Sequence, residues 1–86
     1  MILKIIKINK ESVELRLTKD EVVVDMLIMP LDFRFDTVLV TSIDKLLKKN
    51  RIVRASSLDV VLEGFGDESS TSFLIAKTVA QALKIK

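Results

Sequence analysis

Asp25 and Asp59 fall on segments patterned as strands, and strand-borne carboxylates that converge on two cations perform metal-assisted phosphoryl transfer. A first-strand ligand for such a site has to come from Met1 to Ile8, and none is there. The bland reading of each Asp is a solvated or edge charge. Gly64-Phe65-Gly66 lies between a strand and a helix, where phosphates often bind. It lacks the lysine of a P-loop, and Asp67 and Glu68 beside it repel a phosphate while compensating the helix dipole. A turn with an N-cap is the better account. Ser69 and Ser70 read as caps, because the chain has no His to activate a serine. It has no Cys either, which removes thiolate nucleophiles, disulfides and cysteine zinc sites. No catalytic, cofactor-binding or metal-binding residue is expected.

Lys45, Lys48, Lys49, Arg51 and Arg54 are the candidate nucleic-acid contacts, five cations within ten positions. Such a patch makes a few salt-sensitive phosphate contacts. No aromatic is interleaved with them, which favours a solvated helix end complementing the dipole. The net charge of +2 is too small to argue for a nucleic-acid partner alone. With 86 residues, 49% of them hydrophobic and 30% charged, the chain fits one small globular domain spanning residues 1–86. No apolar run approaches a membrane span of about 20 residues. Lysines interrupt the N-terminal aliphatics, so no signal-peptide core is expected and the cytoplasm is the default compartment.

These side chains need elements to hold them. Ile2 to Ile8 is apolar on both faces, as in a strand inside a sheet. Val13, Leu15 and Leu17 alternate with Glu14, Arg16 and Thr18, a half-buried strand. Val22 to Met29 follows a short turn, and Pro30 ends it, so the first three strands form an antiparallel meander. Asp36 is the expected N-cap of a helix from Thr37 to Asn50, with Leu39, Ile43, Leu46 and Leu47 as its core stripe. Leu58 to Leu62 is a short strand. A second helix carries Phe73, Ala76, Ala80 and Leu83 on its apolar side. The β-β-β-α-β-α order, with a right-handed crossover, predicts a mixed four-stranded α/β sheet of order 3-2-1-4.

Two segments give this order a likeness. Ser42-Ile43-Asp44-Lys45-Leu46-Leu47-Lys48-Lys49-Asn50 resembles the "ID-E/K-LLKK" stretch that closes the first helix of the TsaB (YeaZ) family. Leu58 to Gly66 stands where that family has a strand entering a "GPGSFTGLRIG" loop. Ser70 to Ala76 is similar to its "FTGLRIG", and Thr78 to Leu83 to its "ATAKAL" helix. The likeness covers almost the whole chain but only the family's N-terminal lobe. Phe65 replaces the loop proline, Asp67-Glu68 look inserted, and Leu74 stands for an arginine. Ile6 and Lys7 occupy the region where actin-like ATPases carry their first-strand acid.

The resemblance implies a truncated ribonuclease H-like lobe and a noncatalytic protein-interaction module. In that family the partner is TsaD, within the complex that modifies tRNA adenosine with a threonylcarbamoyl group. Partners so implied are a TsaD-like protein or a second copy, bound through the two helices, with tRNA at most indirect. Val38, Phe73, Ala76 and Ala80 are the candidate interface residues; the competing reading is that they complete the domain's own core. A small basic RNA-binding protein, or an orphan or engineered minimal fold without activity, are the alternatives.

Overall fold

A computed structural model of the chain describes residues 1–32, 34–52, 58–66 and 70–85. The elements run β1 (Ile2–Lys7), β2 (Ser12–Lys19), β3 (Val22–Pro30), α1 (Phe35–Lys49), β4 (Asp59–Glu63) and α2 (Thr71–Ile85). The strands form one sheet of order β3-β2-β1-β4, as the sequence predicts. β1 pairs antiparallel with β2 and parallel with β4, while β2 and β3 are antiparallel.

Register decides which side chains share a face. Leu3 lies between Leu17 and Val60, and Ile5 between Leu15 and Leu62. Leu15 in turn faces Leu27, and Val13 faces Met29. Leu3, Ile5, Val13, Leu15 and Leu17 are fully buried on this side. α1 adds Phe35, Leu39, Ile43, Leu46 and Leu47, and α2 adds Ala76 to the same cluster. Both helices therefore cover one face of the sheet.

Several boundaries differ from the sequence reading. β1 stops at Lys7 and leaves Ile8 exposed. Pro30 is the last residue of β3 rather than the first beyond it, a position tolerated on an edge strand. Arg34, not Asp36, is the N-cap of α1, with no side-chain capping bond. Asp32 organises that entry: its Oδ1 accepts the Arg34 amide at 2.9 Å and its carbonyl accepts the Phe35 amide at 3.0 Å. Asp36 lies in the first turn, where its charge suits the dipole.

The C-terminus of α1 is a Schellman closure. The Arg51 amide donates to the Lys48 carbonyl at 3.1 Å and the Ile52 amide to the Leu47 carbonyl at 2.9 Å. Arg51 takes the left-handed conformation, φ 59°, that this closure requires. The β2–β3 hairpin closes on Asp20 and Glu21, both at positive φ, the pattern of a type I′ turn. A bulge follows: Leu17 faces Asp25 but Thr18 faces Val23, leaving Val24 unopposed.

Candidate functional site

The opposite face of the sheet has no described element packed over it. Strand alternation puts Ile2, Lys4 and Ile6 of β1 there. Thr18, Arg16 and Glu14 flank them on β2, and Asp59, Val61 and Glu63 on β4. On β3, Ile28 lies beside Glu14 and Met26 beside Arg16, and the bulge brings Val23 beside Thr18. Four apolar side chains stand open: Ile28 is 60% exposed, Val23 50%, Met26 47% and Val61 36%.

Four of the five charges placed on this face, all but Asp59, are paired. Arg16 Nε donates to Glu14 Oε2 at 2.6 Å, and Lys4 Nζ lies 3.4 Å from Glu63 Oε1. Glu14 is buried although no described helix covers it, because Ile6 and Ile28 flank it in register. The arginine compensates a carboxylate that burial alone would penalise. At the β1 entry the face dips into a shallow depression among Ile2, Thr18, Val23 and Asp59.

The two strand-borne aspartates do not converge. Asp25 pairs with Leu17 on the helix-covered face, whereas Asp59 pairs with Ile2 on the open one. They also lie on the two outermost strands, three spacings apart, or roughly 14 Å. Among the described residues, no group of three His, Cys, Asp or Glu is arranged to hold a metal ion. Asp25 is committed elsewhere: its carboxylate accepts the Asn50 side-chain amide at 3.0 Å and the Met26 amide at 2.8 Å, with Lys49 Nζ at 3.5 Å. The Asn50 and Met26 bonds, with the Lys49 charge, hold its carboxyl below the usual range.

The glycine loop has a packing role. Gly64 sits at φ 78°, and a Cβ there would lie 2.4 Å from the Lys7 carbonyl oxygen. Phe65 is buried and meets Phe73 edge to face, with ring centroids 5.9 Å apart. Ser70 caps α2, its Oγ accepting the Phe73 amide at 3.2 Å. Asp67, Glu68 and Ser69 lie outside the described residues.

Of the candidate helix interface, Ala76 is fully buried and Ala80 nearly so, while Val38 and Phe73 are half-buried and packed against the core. The structure thus draws these four into the chain's own core. Val38, expected off the core stripe, joins it. Leu83 lies outside the part whose side chains are described. Among the described helix residues, the exposed large apolar side chains are instead Val40 and Leu74. In the basic cluster, Lys48 pairs with Asp44 at 3.0 Å and Lys49 with Asp25, so two cations already have carboxylate partners. Lys45 and Arg51 are exposed, and Arg54 lies outside the described residues.

Sequence reasoning placed no binding residue on the open face. β3 is apolar on both sides, so its pattern does not say which side a helix covers; the charge–aliphatic alternation of β2 was the available signal. Among the described residues, no helix is long and apolar enough to cross a membrane. The fold defines the class, a mixed α/β sheet with both described helices on one face. Beyond that class, comparisons with protein families, curated proteins and solved structures return no match.

Proposed function

We propose that the chain is a noncatalytic protein-interaction module whose binding surface is the open face of the sheet. The observation that carries this reading is the group Val23, Met26, Ile28 and Val61, exposed on one face around paired charges. Apolar surface gathered on one face and mixed with polar groups is characteristic of association sites. The likeness to the N-terminal lobe of the TsaB family supports the same reading, with a TsaD-like protein or a second copy as partner and tRNA only indirectly involved. The sheet replaces the helices as the assigned surface, because Ala76 and Ala80 are taken up by the core. We assign the protein to the cytoplasm.

Amide chemical-shift mapping tests the reading, both on dilution and on titration with a TsaD-like protein. Shifts clustered at Arg16, Met26, Ile28 and Val61 are expected, with Lys77 on α2 unchanged. Shifts confined to the helices, or magnesium-dependent turnover that Asp59→Asn abolishes, would sink it.

A further inference from the structure

We propose that the open face binds a second copy of this chain, sheet against sheet, about a twofold axis running across the strands. The proposal rests on the reading of that face as an interaction surface. It follows from how the charges are laid out in rows. Register places Met26, Arg16, Lys4 and Val61 side by side from β3 to β4, with both cations at the centre. The next row holds Ile28, Glu14, Ile6 and Glu63, with two carboxylates. The rows are two residues apart along the strands, roughly 7 Å.

A twofold axis parallel to the rows, and midway between them, keeps each strand over its own counterpart but reverses its direction. The basic row then lies on the acidic row. Arg16 comes over Glu14 of the second copy, Met26 over Ile28, and Lys4 beside Glu63. An axis along the strands would instead put each row on itself, cation on cation. Of these two orientations, only the first is therefore self-complementary. Glu14 is already covered within its own sheet, so the part-exposed pair, Lys4 beside Glu63 of the second copy, carries the charge complementarity. Aligned sheets pack about 10 Å apart, a gap that side chains from both faces fill. A nucleic acid or anionic membrane asks for one sign of charge, which this face does not offer.

Four strands about 4.8 Å apart and six residues deep span roughly 380 Å² in projection. That is a small interface, so the dimer is expected to be concentration-dependent. Light scattering or sedimentation, from micromolar to millimolar protein, reads it directly. The wild type should approach twice the monomer mass. Ile28→Lys, at an exposed site, should weaken association by at least about tenfold with unchanged circular dichroism. Lys4→Glu should also dissociate the dimer, and adding Glu63→Lys should restore it by exchanging the signs. If the charge variants do not fold, Val61→Lys serves as the second probe on this face. A wild type that stays monomeric overturns the dimer, as does a folded Ile28→Lys that dimerises as tightly as the wild type or a folded sign-exchanged pair that does not dimerise. A monomer that binds a TsaD-like protein through the same face would refute only the dimer and leave the interaction reading standing.

Discussion

Asn50 at the end of α1 donates its side-chain amide to Asp25 on β3 at 3.0 Å, joining the helix to an outer strand of the sheet. The same amide group reaches the Leu46 carbonyl at 2.8 Å. Asp25 also accepts the amide of Met26 beside it on β3. An inward-facing carboxylate is one of the devices that blunt an edge strand against pairing with other chains. One pair of side chains thus closes a helix and engages the backbone of an outer strand, which leaves the sheet face as the apolar surface.

The pair makes stability depend on pH in a defined sense. The folded carboxyl of Asp25 sits below its ordinary value, Asn50 being the largest cause. Its contribution is complete above the unfolded value of about 3.9 and is lost as pH falls through the depressed folded value. Asp25→Asn should lower the urea midpoint at neutral pH, then converge on the wild type in acid. Asn50→Ala should move the Asp25 carboxyl titration upward by NMR. A wild-type Asp25 that titrates at the ordinary position would show that the pair does not form.

Arg51 bears on both the fold and the RNA alternative. Its φ of 59° costs a non-glycine residue roughly 1 kcal/mol, and the Schellman closure is where glycine is favoured. Arg51→Gly is expected to stabilise the protein by about that amount in chemical denaturation. If the basic cluster is only a solvated helix end, the same variant leaves tRNA titrations at low salt unchanged. A several-fold loss of tRNA affinity would instead favour the RNA-binding alternative.

The sheet order was legible because the crossover through α1 sets β4 beside β1, and β1, apolar on both faces, belongs inside the sheet; Val13, Leu15 and Leu17 alternate with polar residues, which fixes the buried face of β2. The open face was not. On β3, simple alternation groups Val23 with Asp25, Leu27 and Met29, but the bulge at Val24 carries Val23 to the other side. A one-residue irregularity flips a side chain, and nothing in a run of valines announces it. The α1 entry was misplaced for a related reason. Asp36 has the right chemistry for a cap, but Asp32 arranges the turn through its own side chain and carbonyl. Ala76 and Ala80 fit an interface or a core equally well by type; the packing of α2 against α1 and β4 leaves both buried.

Gly64 separates a structural glycine from a permissive one. Gly64→Ala combines a left-handed backbone with a Cβ driven to 2.4 Å from the Lys7 carbonyl, so a loss of roughly 2–4 kcal/mol is expected. Gly66 has φ 67° but nothing within 4 Å of its added Cβ. Gly66→Ala should therefore cost only the conformational term, about 1 kcal/mol. Equal losses in urea denaturation would mean that the turn after β4 does not approach the Lys7 carbonyl so closely.

Phe73 distinguishes the helix surface from the sheet surface. It is half-buried, packs on the core, and meets the buried Phe65 at 5.9 Å with the rings inclined by 71°. Removing a buried phenylalanine costs about 3–5 kcal/mol, and partial exposure reduces that here to roughly 2–3 kcal/mol. Leu74, its neighbour in sequence, is 51% exposed, so Leu74→Ala should stay within about 0.5 kcal/mol of wild type. The two substitutions make opposite statements about association. With the partner on the sheet, Leu74→Lys leaves the measured mass and any titration unchanged, and Phe73→Ala lowers the melting temperature without dissociating the folded fraction. With the partner on the helices, Leu74→Lys would weaken binding while leaving stability alone, because its side chain points away from the core. Light scattering beside a thermal melt on the same samples separates the two.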